Sequence, residues 1–117
     1  MIFRFRAGGL AIVDPLHQDD PEFVFRQVEI LKNAHHNRVV ILQGHTKGCE
    51  AGCAAMAAKY PELKGTGPDA ELRKHIEVQY KARQVLQERY PELKVVLSVI
   101  KPEMIGAKEW DRVYLIP

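Results

Sequence analysis

Both cysteines of the chain and one of its five histidines lie in one short stretch. Cys49 follows His45 by four residues, and Cys53 follows Cys49 by four. Zinc takes thiolate and imidazole ligands in tetrahedral protein sites, and the N-terminus of a helix stabilises a thiolate. The residue types therefore make His45, Cys49 and Cys53 candidate zinc ligands. Their spacing alone favours the alternative interpretation, in which both cysteines are small buried helix residues and His45 only caps a turn, because a tetrahedral site needs a fourth ligand.

The glycines and the lysine around these residues favour a second kind of site. Gly44, Lys47 and Gly48 lie between a predicted strand and a predicted helix, and Gly8 follows the first predicted strand. Backbone N–H groups at a helix N-terminus bind anions, and glycine allows a ligand to approach the backbone closely. We therefore predict that Gly8, Gly44, Lys47 and Gly48 bind an anion or a small substrate. The stretch lacks the Gly-Lys-Ser/Thr ending of a phosphate-binding loop.

Strand-like and helix-like segments alternate along the chain and must position these residues. Short apolar runs rich in β-branched residues predict strands, and apolar residues at helical spacing predict helices. The predicted strands are residues 2–6, 38–43, 94–100 and 112–116, and the predicted helices are 21–36, 49–59 and 70–90. This alternation predicts a single α/β domain over residues 1–117, with a small, mainly parallel β-sheet of about three to five strands flanked by helices, as in Rossmann-like folds. Ligands bind at the carboxyl ends of the strands in such sheets.

The longest predicted helix carries its own pattern of apolar and polar residues. Its apolar stripe, typical of a helix that packs on a core, consists of Leu72, Ile76, Tyr80, Leu86 and Tyr90. His75 lies among Arg73, Lys74 and Glu77, so we predict it at the surface. His35 and His36 are predicted to form a solvated helix end, where imidazoles suit the negative end of the helix dipole.

Composition and charge exclude several classes of function. The chain has 117 residues, 46% of them hydrophobic, and a formal net charge of +2. Its charges are interspersed, and nucleic-acid binders usually carry a basic stripe, so no nucleic-acid partner is expected. Since no apolar run approaches the ~20 residues of a membrane span, no membrane partner is expected either. Two cysteines close together predict reduced thiols and a cytoplasmic location, and a sheet with so few strands predicts a homo-oligomer.

Three segments, in order and spacing, resemble the β-class carbonic anhydrases. Residues Val39–Gly52 (Val-Val-Ile-Leu-Gln-Gly-His-Thr-Lys-Gly-Cys-Glu-Ala-Gly) resemble the strand that leads into the family's Gly-His-x-x-Cys-Gly motif. Residues Phe3–Gly9 resemble its strand ending in Arg-x-Ala-Gly, and residues Val28–His35 resemble the helix before the zinc strand in short, divergent members. The resemblance covers about residues 2–60 in this order.

The resemblance implies a zinc protein that hydrates carbon dioxide reversibly to bicarbonate. It implies that His45 and Cys49 are zinc ligands like the His and Cys of the family's motif, and that Cys53, the remaining thiol, stands in for the family's third ligand. The family's Cys-x-Asp-x-Arg motif has no counterpart in the chain, and Gly48 precedes Cys49 where the family has Cys before Gly. Whether the chain is an enzyme therefore stays open. The alternative is a non-catalytic module of the same fold that binds an anion or a small ligand.

Overall fold

The computed structural model describes residues 22–36, 38–46, 58–63, 66 and 68–117. Within them, helix α1 is Phe23–Ala34, strand β1 is Val39–His45, helix α2 is Pro68–Arg89, strand β2 is Lys94–Ile105 and strand β3 is Lys108–Ile116, with a short 3-10 turn at Pro61–Leu63. The predicted strand at residues 2–6 lies outside the described residues. The predicted helix at residues 49–59 also lies outside them, except for Ala58 and Lys59, which are helical.

Helix α1 follows from apolar residues at helical spacing. Val24, Val28 and Leu31 recur every three or four residues and are buried, which places them on one face of the helix. The helix ends at Ala34, and His36 takes a positive φ of 54° beyond it. His35 and His36 are both exposed, which confirms the predicted solvated helix end.

The three strands of the described residues form one sheet in the order β1-β2-β3. Strand β1 runs parallel to β2, with the register extending from Val39 opposite Lys94 to His45 opposite Ile100. Helix α2 lies in the connection between them, as a parallel crossover requires. Strand β3 runs antiparallel to β2, so the sheet is mixed.

The expected mainly parallel, Rossmann-like sheet with flanking helices is therefore wrong. Strand β2 continues past Ile100 to Ile105, turns through Gly106 and Ala107, and returns as β3. Gly106 has a φ of 64°, and a positive φ at the first position of a two-residue hairpin loop favours glycine. This hairpin is hard to predict from local patterns, because Pro102 and several charged residues interrupt its apolar residues.

The core lies between one face of the sheet and both helices. Val28 of α1, Leu86 of α2, and Leu42 and Leu97 of the paired strands β1 and β2 belong to one buried hydrophobic cluster. Leu42 and Leu97 are opposite each other in the register, so their side chains share a face of the sheet. Both helices of the described residues thus pack on the same face, rather than on two. No helix among these residues is long and apolar enough to cross a membrane.

Candidate functional site

His45 is the last residue of β1, and its imidazole is held in one orientation. The Nδ1 atom lies 2.9 Å from the backbone oxygen of Thr46. A carbonyl oxygen can only accept a hydrogen bond, so Nδ1 carries the proton and donates it. The neutral ring then carries its lone pair on Nε2. A carbonyl that accepts from one ring nitrogen is the usual way in which proteins fix the tautomer of a metal-binding or proton-accepting histidine.

Thr46, whose carbonyl accepts from His45, is bound to the neighbouring strand through its other polar groups. Its backbone N–H donates to the oxygen of Ile100 at 3.0 Å, which extends the β1–β2 ladder one residue past the strand. The Thr46 hydroxyl donates to the same oxygen at 3.3 Å, and the residue is buried. His45 is therefore followed directly by a residue that is anchored on β2.

Gly44 lies where helix α2 comes closest to β1. A Cβ atom at this position would lie 2.9 Å from Nε2 of Gln79 and 2.9 Å from Nδ1 of His75. Both distances are shorter than a carbon atom tolerates without displacement of its neighbours. The packing of α2 thus gives a structural reason for glycine at position 44, while an anion-binding role for Gly44 stays a prediction.

His75 and Gln79 form a buried polar pair on α2 against this glycine. Their exposed fractions are 5% and 1%. The Gln79 side chain donates from Nε2 to the backbone oxygen of Ser98 at 2.8 Å. Within the described part of the chain, Nε2 of His75 and Oε1 of Gln79 have no hydrogen-bond partner, although Oε1 of Glu71 lies 3.5 Å from the former. A buried polar atom in that state is costly, so this pair is the least satisfied part of the described interior.

The surroundings of His75 favour its neutral form. Burial lowers the pKa of His75 below its ordinary value, Glu71 opposes this effect, and the nearby His45 adds to the lowering. Burial dominates because removing water penalises the charged imidazolium. His75 is therefore held as a neutral imidazole.

The prediction that His75 lies at the surface is wrong. His75, Val78, Gln79, Ala82 and Leu86 are buried together, and their spacing is that of one helix face. Tyr80, which the predicted stripe included, is exposed instead. The polar pair could have been found in the sequence as two polar residues in helical phase with Val78, Ala82 and Leu86.

His45 and His75 lie on different sides of the sheet. The missing side chain of Gly44 would point toward α2, and successive residues of a strand point to opposite faces. His45 therefore points away from the helix, on the face where Gln43 donates from Nε2 to the hydroxyl of Ser98 at 3.2 Å. On this face of β1, Gln43 and His45 are both half-buried.

The structure describes two of the predicted site residues, Gly44 and His45. Lys47, Gly48, Cys49, Cys53 and Gly8 lie outside the described residues. Among the residues that are described, no group of three or more His, Cys, Asp or Glu side chains could hold a metal ion. Comparison of the chain with protein-family models, with curated proteins and with solved structures finds no match.

Proposed function

We propose that the chain binds a zinc ion at the carboxyl end of β1. His45 is the proposed imidazole ligand through Nε2, and Cys49 and Cys53 are the proposed thiolate ligands. The observation that supports this proposal most is the hydrogen bond from Nδ1 of His45 to the carbonyl of Thr46, because it leaves Nε2 as the atom with the lone pair. Imidazole and thiolate together are the donor set that zinc prefers in proteins.

His45 is the one proposed zinc ligand within the described residues, and its surroundings suit that role. The ring of His45 is half-buried and points away from the polar pair on α2. The carbonyl of Thr46 accepts from the ring, and the N–H of the same residue is bound to Ile100 on β2. A ligand fixed in advance in this way loses little freedom when the metal binds, and outer hydrogen bonds of this type are typically worth 10–100-fold in metal affinity.

The proposed reaction is the reversible hydration of carbon dioxide to bicarbonate, as the resemblance to β-class carbonic anhydrases implies. Zinc in such a site supplies Lewis acidity that brings the pKa of a water molecule toward neutrality. The contribution of the described residues is to hold the His45 ring by its hydrogen bond to the Thr46 carbonyl, which sets its tautomer. Thr46 is in turn bound to β2 through its N–H. A cytoplasmic location, where cysteine thiols stay reduced, belongs to the same proposal.

Metal content tests the zinc site directly. Protein purified without chelators should contain about one zinc per chain, and the His45→Ala and Cys49→Ala variants should each lose most of it. His35→Ala is the matched control, because His35 is an exposed histidine at the end of α1, and its zinc content should equal that of the unmodified protein. Cobalt(II) in place of zinc should show thiolate-to-metal charge-transfer absorption that disappears in Cys49→Ala.

Activity is tested separately from binding. Stopped-flow hydration of carbon dioxide by the zinc-loaded protein should exceed the buffer rate, and His45→Ala should abolish the excess. A zinc-loaded protein no faster than buffer would reject the hydratase while leaving the metal site standing. A metal-free protein whose melting temperature rises with sulfate or phosphate would reject the zinc site and favour the anion-binding alternative at Gly8, Gly44, Lys47 and Gly48.

A further inference from the structure

The hairpin of β2 and β3 extends beyond the rest of the sheet. Strand β2 pairs with β1 only as far as Ile100, whereas its pairing with β3 continues to Ile105. Over Lys101–Ile105 the neighbour of β2 within the described residues is therefore Lys108–Arg112 of β3 alone. We call these two segments and their turn the hairpin arm. An isolated two-stranded ribbon is marginally stable in water, so a further strand along the arm would stabilise it.

Among the described strands, β3 lies at an edge of the sheet and has large apolar side chains in solvent. Trp110, Val113 and Leu115 are 54%, 59% and 74% exposed. The charges nearby are already neutralised in part, since Glu103 accepts from Arg112 at 3.1 Å. An exposed edge strand with apolar side chains is a template for pairing with another strand.

We propose that β3 pairs antiparallel with β3 of a second copy of this chain. Such a contact is isologous, because a two-fold axis relates the two strands. An axis perpendicular to the sheet passes through a pair of identical residues, so the register is described by its central residue. The dimer would join the two sheets into one, with the two β3 strands at its centre.

Charge excludes the registers centred near the hairpin turn. Like charges directly opposite each other on neighbouring strands are destabilising. A register centred on Trp110 places Lys108 opposite Arg112 and Glu109 opposite Asp111. A register centred on Asp111 or Arg112 places that charged residue opposite its own copy.

The register centred on Val113 avoids every like-charge pair and buries apolar side chains. Its pairs are Val113 with Val113, Arg112 with Tyr114, Asp111 with Leu115, and Trp110 with Ile116. Moving the centre on to Tyr114 also avoids like charges but shortens the paired segment. Charge and length together therefore select Val113 as the central residue.

Two substitutions on the same face of β3 test this register against each other. Val113→Lys places two lysines opposite each other on the two-fold axis, so we expect the dimer dissociation constant to rise at least about tenfold. Leu115→Lys makes the same exchange of apolar residue for lysine but places the lysine opposite the partner's Asp111, so the dimer should persist. Sedimentation equilibrium of the full chain measures both, with a monomer mass of 13.3 kDa and twice that mass for the dimer.

A second measurement does not depend on the variants. Amide hydrogen exchange of the unmodified chain should show greater protection over Trp110–Ile116 at high protein concentration than at low concentration, because the proposed pairing is a bimolecular contact. A chain that stays monomeric at high micromolar concentration, or a dimer without this protection, overturns the interface. A dimer that Val113→Lys leaves intact, or that both variants dissociate, overturns the register.

Discussion

Substitution of Gly44 by alanine tests how tightly α2 packs on β1. The new Cβ would lie 2.9 Å from Nδ1 of His75 and 2.9 Å from Nε2 of Gln79. The imidazole is rigid and buried. The Gln79 amide lies at the end of a flexible side chain, but its hydrogen bond to Ser98 holds it in place. One of the two groups, or the helix itself, must therefore move.

The expected cost follows from these contacts. Inserting an atom into a well-packed interior costs about 1–3 kcal/mol, and moving Gln79 weakens a buried hydrogen bond whose loss costs about 1–3 kcal/mol. Gly44 lies in a strand, whose backbone alanine adopts readily, so the lower entropy of the unfolded chain returns about 0.4–1 kcal/mol. Gly44→Ala should therefore lower the free energy of unfolding by about 1–3 kcal/mol, measured by urea denaturation.

A double-mutant cycle identifies the cause. Gln79→Ala removes one of the two clashing groups, so Gly44→Ala should cost less in that background than in the unmodified chain. Gly106→Ala is the control, because Gly106 has a positive φ and no atom within 4 Å of its would-be Cβ. Its cost is backbone strain and should be independent of Gln79→Ala. A Gly44→Ala protein as stable as the original, or more stable, would refute the close packing at this point.

Two further predictions concern the buried face of α2. Burial lowers the pKa of His75 below its ordinary value of 6.5, so the unfolded chain takes up this proton first as the pH falls. The contribution of His75 is therefore most favourable above that value and declines below it, until the native pKa is reached. We expect the free energy of unfolding of the unmodified, metal-free protein to fall more between about pH 7.5 and pH 5 than that of the His75→Gln variant. Urea titrations of both proteins at each pH measure the difference. An equal fall in both proteins would contradict a buried, neutral His75. Leu86 is fully buried in the core, so Leu86→Ala should cost about 2–5 kcal/mol. Val85→Ala, at the exposed neighbour, should cost less than about 1 kcal/mol, and similar urea midpoints for the two variants would contradict the assigned helix face.

The elements built on regular local patterns could be predicted from the sequence. The helix at residues 70–90 is observed at Pro68–Arg89, and the strand at residues 38–43 is observed at Val39–His45. Each is a local pattern, since apolar residues recur at a fixed period over many positions. The hairpin was missed because its evidence is not local. Pro102 and Glu103 are residue types that are uncommon in strands. They lie in β2 because they pair with Asp111 and Trp110 of β3.

The sequence alone determined the identity of the candidate ligands, because imidazole and thiol chemistry depends only on residue type. It also placed His45 in the turn directly after a strand, since the apolar run before it is continuous, and the structure extends that strand to include His45. Tertiary structure alone decided the tautomer of that ring, which depends on where the carbonyl of Thr46 points. It also decided that His75 is buried. The charged residues next to His75 in sequence lie on other sides of the helix. The imidazole can pack against β1 because Gly44 has no side chain at that point. A histidine's surroundings are set by what packs across from it, and no window of sequence contains that information.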